Sequence, residues 1–145
     1  MIFAKKIKSL EKLTLSLSGM CAAHEYVIVT HGEKSTVARY AHKFKNGDLE
    51  RDPEGSVVLD TTEIIKALNK FGVNRWDGFY GKRRRGIMDG TDFSLFAAVN
   101  GGKEITARGS QNFPRGFHGL CSWFYEIMKK NGDRPNNERN DYGNT

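Results

Sequence analysis

Four consecutive cations, Lys82, Arg83, Arg84 and Arg85, stand between Gly81 and Gly86. A guanidinium is a planar fork of donors that matches the oxygens of a phosphate or carboxylate, so three in a row make a receptor for anions. The bland alternative is a solvated loop that only aids solubility, but adjacent arginines repel one another and serve that end poorly. The chain has 23 basic and 17 acidic residues, a formal charge of +6, and removing these four leaves 19 basic residues against the same 17. The excess is therefore local, and a compact cluster of this kind attracts polyanions by releasing counterions from phosphates. Trp76, Phe79 and Tyr80 precede the run. Such rings either stack bases beside the charge or enter a core, and the core is the expected place of Trp76. The candidate contacts to nucleic acid or another partner are Arg75, Lys82, Arg83, Arg84, Arg85, Arg108 and Arg115.

Acid–base and metal chemistry have weaker signals. The four histidines, His24, His31, His42 and His118, match no ligand spacing, and no Cys-x-x-Cys accompanies them. His118 follows Arg115 at a predicted helix start near Gly109-Ser110, where backbone N–H groups can hold an anion. A small nuclease would use His118 as base, with Arg115 or Arg108 stabilising charge; the bland alternative is a partly exposed histidine in a first helical turn. Asp77, Asp89 and Asp92 are the candidate magnesium ligands for the same activity, yet Asp77-Gly78 and Asp89-Gly90 are also ordinary turn pairs. Neither Gly81-Lys82-Arg83-Arg84-Arg85-Gly86 nor Gly101-Gly102-Lys103 is a phosphate-binding Walker loop. No metal or cofactor is expected. Cys21 and Cys121 are too few and too far apart for a disulfide framework or zinc site, and read as free thiols.

The elements that must position these residues follow from periodicity. At 145 residues the chain fits one domain, expected over 1–130. Residues 131–145 have one aromatic and no aliphatic side chain, which predicts a flexible polar tail. No stretch is long and apolar enough to span a bilayer and no secretory signal is apparent, so the expectation is a cytoplasmic protein without a membrane partner. Leu13, Leu15 and Leu17 alternate with polar residues, residues 25–30 are β-branched and aromatic, and 36–44 form a third strand. In that strand the face of Val37, Arg39, Ala41 and Lys43 reads as the wetter one. Asn46-Gly47-Asp48 is a turn, 51–55 reads as a loop, and 56–59 as a short strand.

Asp60 three residues before Glu63 has capping-box spacing, and Ile64, Ile65, Leu68 and Phe71 share the face of a helix over 61–71, with Lys66, Asn69 and Lys70 turned to solvent. Phe93, Leu95, Ala97 and Val99, then Asn100-Gly101-Gly102 and 103–108, form a hairpin. Pro114 opens a helix over 114–130, with Ser110 or Asn112 as cap. The fold expected is α+β, an antiparallel sheet made of a meander plus a hairpin and packed against two helices.

Trp-Asp-Gly-Phe at 76–79, Asp-Gly-Thr-Asp-Phe-Ser-Leu at 89–95, Gly-Gly-Lys-Glu-Ile at 101–105 and Gly-Ser-Gln-Asn-Phe-Pro at 109–114 together resemble small α+β domains of bacteria and mobile elements. The likeness covers about half the chain and implies a fold and no activity. In size, charge and lack of a catalytic signature the chain is also similar in style to phage anti-CRISPR inhibitors, which occupy surfaces that would hold nucleic acid or a partner. The leading expectation is a non-enzymatic module that binds nucleic acid or a nucleoprotein through its basic loop. The alternatives are a small nuclease and an adaptor for an acidic protein surface.

Overall fold

The computed structural model describes residues 4–19, 23–82 and 91–131. Arg83, Arg84, Arg85, Asp89, Cys21 and the tail from 132 onward lie outside the described residues, as does the expectation that the tail is flexible. The fold is the α+β arrangement expected. Strands β1 (Leu10–Ser18), β2 (Ala23–His31), β3 (Lys34–Lys45) and β4 (Asp48–Asp60) form a meander, followed by α1 (Thr61–Lys70), a 3-10 turn at Val73–Arg75, the short β5 (Tyr80–Gly81), the β6 (Asp92–Val99) and β7 (Lys103–Ser110) hairpin, and α2 (Phe117–Asn131). The seven strands lie in the order β4-β3-β2-β1-β6-β7-β5. All neighbours are antiparallel except β5, which runs parallel to β7.

Side chains on a strand alternate between faces, so register decides what is buried. Leu13 stands opposite Ile28 and Ala97, and Leu15 opposite Tyr26 and Leu95. These residues, with Val37, Phe93, Val99, Ile105 and Ala107, are buried and join Ile64 and Leu68 of α1 and Phe117, Leu120, Phe124 and Met128 of α2 in one core. Tyr26 stacks on Phe124 with centroids 4.4 Å apart. Both helices therefore cover one face of the sheet. Among the described residues the opposite face carries no helix.

Several local expectations are corrected. Val37 and Ala41 are buried, so their face of β3 is the core side and not the wetter one; Val37 sits between buried Ile28 and Val57. Arg39 tolerates that side because its guanidinium lies 5.8 Å from the centre of the Tyr26 ring and its Nε donates to Glu54 at 2.9 Å. Residues 51–55 belong to β4 and form no loop. The strand holds the sheet edge, where a proline costs no ladder bond, and a register shift opposite Arg39/Tyr40 absorbs the extra residue.

Asp60 makes no capping bond. Its carboxylate accepts from Lys34, while Thr61 Oγ1 donates to the Gly32 carbonyl and bonds Ser35 Oγ. Asn69 is not turned to solvent: Ile7 N donates to its Oδ1 and its Nδ2 donates to Ile7 O, each at 2.9 Å. Finally, α2 begins at Phe117, three residues after Pro114. Gly116 has φ +90°, far from the helical range, so the helix starts only after it.

Candidate functional site

The helix-free face is continuous across all seven strands. Register lines up Tyr80, Arg108, Ser94, Ser16, Glu25, Tyr40 and Pro53 in one transverse row. The adjacent row is Thr106, Phe96, Thr14, Val27, Ala38 and Ser56. Most of these are small, so the floor is low and the large side chains stand above it. Each ring in these two rows has a cation over it: Arg108 lies 4.8 Å from the Tyr80 centroid, Lys12 5.5 Å from Phe96, and Arg51 4.0 Å from Tyr40. Tyr80 and Tyr40 are five strand steps apart, or about 24 Å.

The edge that presents Tyr80 explains the Trp-Asp-Gly-Phe motif. Trp76 is 2% exposed and its Nε1 donates to the Arg115 carbonyl at 3.0 Å, so it is the core residue expected. Asp77 Oδ1 accepts from Thr106 N, Gly78 N donates to Thr106 O, and Arg108 N donates to Phe79 O. Phe79 packs toward Phe93. Three residues, Asp77, Gly78 and Phe79, thus pin the chain to β7, and the next, Tyr80, is left 59% exposed beside Arg108. Gly81 follows because a Cβ there would meet the Asn112 carbonyl at 2.4 Å. An open cleft of about 550 Å³ runs between Tyr80 and Phe96 over Ser94 and Thr106, and a second joins Tyr80 and Arg108 to Lys82 and Ser110.

Of the sequence-predicted contacts, Arg108 and Lys82 share this second cleft, and the Lys82 carbonyl accepts from Asn112 Nδ2. Arg115 is exposed in the turn before α2, off the open sheet face. Arg75 lines a different cleft. His118 is exposed, and its ring meets Phe113 and Phe117 edge-on at 5.2 and 5.4 Å. With α2 starting at Phe117, His118 still lies in a first turn, but Arg115 precedes the helix. Asp77 is engaged by Thr106 and by Lys103 at 3.7 Å, and Asp92 is exposed at the start of β6. Among the described residues no three His, Cys, Asp or Glu side chains gather as a metal site.

Lys12, Phe96, Tyr40 and Arg51 were not singled out by sequence spacing. Their signal was the polar half of each alternating strand, for example Lys12, Thr14 and Ser16 between the leucines of β1. The charge on this face is mixed. Glu25 Oε1 lies 3.0 Å from both Arg51 Nε and His42 Nε2, whereas Arg108 and Lys12 make no ion pair among the described residues. On the helix side, His24 lies 3.4 Å from Glu54, yet burial and then the Arg39 guanidinium hold its pKa below the ordinary value, outweighing the carboxylate. Burial alone pushes the half-buried Cys121 thiol up to about 11.

The chain matches no protein-family model and no curated protein sequence.

Proposed function

We propose that the protein is a non-enzymatic module that binds single-stranded nucleic acid, free or within a nucleoprotein, across its helix-free sheet face. One observation carries this: the exposed Tyr80 ring lies under the Arg108 guanidinium, which has no ion pair among the described residues, on an open sheet, two residues before Lys82 and the three arginines that follow it in sequence. Exposed rings on a flat sheet give bases a stacking surface, and neighbouring cations follow the phosphates without reading sequence. Phe96 with Lys12 and Tyr40 with Arg51 repeat the pairing along the face. A surface of this kind also suits an inhibitor that occupies a nucleoprotein's strand-binding channel, in the style of anti-CRISPR proteins.

The test is fluorescence anisotropy with labelled single-stranded RNA and DNA oligonucleotides and a duplex control. Tyr80→Ala is expected to lose one stacked base, about 1–3 kcal/mol. Replacing Arg83, Arg84 and Arg85 together should flatten the salt dependence, since each lost phosphate contact on a single strand lowers the slope by about 0.7. His118→Ala should leave binding unchanged, with the oligonucleotide intact on a denaturing gel. Cleavage that His118→Ala abolishes would instead establish the nuclease, and no binding at any salt concentration would point to the adaptor.

A further inference from the structure

The outer edge of β4 closes one end of the sheet, and among the described residues no strand pairs with it. Native proteins guard such an edge with charge, proline or a bulge. The first half of β4 carries all three, in Glu50, Asp52 and Glu54, in Pro53, and in the register shift opposite Arg39/Tyr40. The second half, Ser56-Val57-Val58-Leu59, carries none of them. Its Val58 is 60% exposed, more than any other large apolar side chain among the described residues.

The phase of the ladder decides what this half presents. Thr61 N donates to the Glu33 carbonyl at 2.8 Å, and the register runs without a shift from Asp60 opposite Lys34 to Ser56 opposite Ala38. Inward and outward residues alternate along an antiparallel pair, so Leu59 and Val57 bond to β3, whereas Ser56, Val58 and Asp60 turn their N–H groups outward. The Ser56 and Val58 carbonyls turn outward with them. This set is self-complementary about Val58. In an antiparallel pairing centred there, Val58 exchanges both backbone bonds with Val58 of a second copy, and each Asp60 N–H donates to the Ser56 carbonyl of the other copy. The side chains agree, since the two valines meet on the open face and each Ser56 hydroxyl stands opposite an Asp60 carboxylate. A pairing centred on the acidic half would instead set Glu50 against Glu54 and Asp52 against itself, which repels. Charge thus selects one alignment.

We propose that the protein forms a two-fold dimer in which residues 56–60 of β4 pair antiparallel with the same residues of a second copy. The sheet then continues from one copy into the other, and the two open faces lie side by side. Five strand residues span about 17 Å, so the interface is small and the dimer reversible. The dimer does not depend on what the open face binds.

The test is sedimentation velocity from about 5 to 200 µM. The wild type is expected to pass from monomer to dimer within this range, with a dissociation constant on the order of 10–100 µM. Val58→Pro removes an N–H that faces away from β3, so the monomer loses no ladder bond, and dimerisation should weaken by about tenfold or more. Val58→Lys sets like charges opposite each other at the two-fold axis and should show the same loss; it decides the matter if the thermal melt shows the proline variant unfolded. Val58→Thr keeps the N–H and the branched shape and should dimerise as the wild type does. A wild-type monomer at about 200 µM, the outcome if another segment or another protein occupies the edge, would overturn the proposal. So would a dimer of undiminished strength in a folded Val58→Pro or Val58→Lys protein.

Discussion

Gly116→Ala isolates the junction that holds the two helices and Trp76 together. Gly116 has φ +90°, and an added Cβ would stand 1.9 Å from the Phe71 carbonyl oxygen and 2.9 Å from its carbon. Both are backbone atoms at the end of α1, so no side chain can swing aside. A left-handed conformation costs a non-glycine residue about 1–2 kcal/mol, and displacing packed backbone adds about 1–3 kcal/mol. The displacement also threatens the neighbouring Arg115 carbonyl, which accepts the buried Trp76 indole N–H. A total loss of about 2–5 kcal/mol is expected, a large share of the roughly 5–15 kcal/mol that holds a domain folded.

Gly101→Ala is the control. Gly101 also has positive φ, +78°, but nothing lies within 4 Å of its added Cβ, so only the backbone cost of about 1–2 kcal/mol remains. Urea unfolding followed by tryptophan fluorescence measures both variants, with the slope unchanged if only native-state stability moves. A Gly116→Ala loss no larger than that of Gly101→Ala would refute the close contact between α1 and the start of α2.

Asn69→Ala removes both bonds to the Ile7 backbone and is expected to cost about 1–3 kcal/mol in the same unfolding experiment. The pKa of His24 is lowered in the folded protein, so its contribution to stability is present above the unfolded value of about 6.5 and is lost as pH falls from there toward the folded value. His24→Gln should flatten the stability profile below about pH 6.5, read from urea midpoints. With its thiol pushed up to about 11, native Cys121 should react with iodoacetamide at pH 8 far more slowly than the unfolded chain, as followed by mass spectrometry.

Strict alternation made β1 and the β6–β7 hairpin legible, because one face of each strand is buried and the period is two. The same rule misassigned β3, where both faces mix apolar and polar residues and Arg39 sits on the core side. Only the pairing of Val37 with Ile28 and Val57 decides the matter, and that is a long-range fact. Pro53 and Gly55 read as a loop because sequence cannot tell an edge strand, which tolerates them, from an interior one. Pro114 suggested a helix start that the positive φ of Gly116 rules out. At the candidate site, Arg108 and Lys82 were visible as charges, but their relation to Tyr80 depends on a two-residue parallel strand held by Asp77 and Thr106. Phe96, Tyr40, Lys12 and Arg51 come from four different strands, and only sheet order places them on one face.

The most direct measurement of the central claim is the affinity of labelled single-stranded RNA and DNA for wild-type protein and for Tyr80→Ala/Arg108→Gln across a salt series. Both side chains are exposed at the surface, so the variant should fold with an unchanged urea midpoint. Salt-dependent binding by the wild type, weakened in the variant by about 1–3 kcal/mol or more, is the expected result. Equal binding by the two proteins, or none by either, would contradict a nucleic-acid interface on the open sheet face.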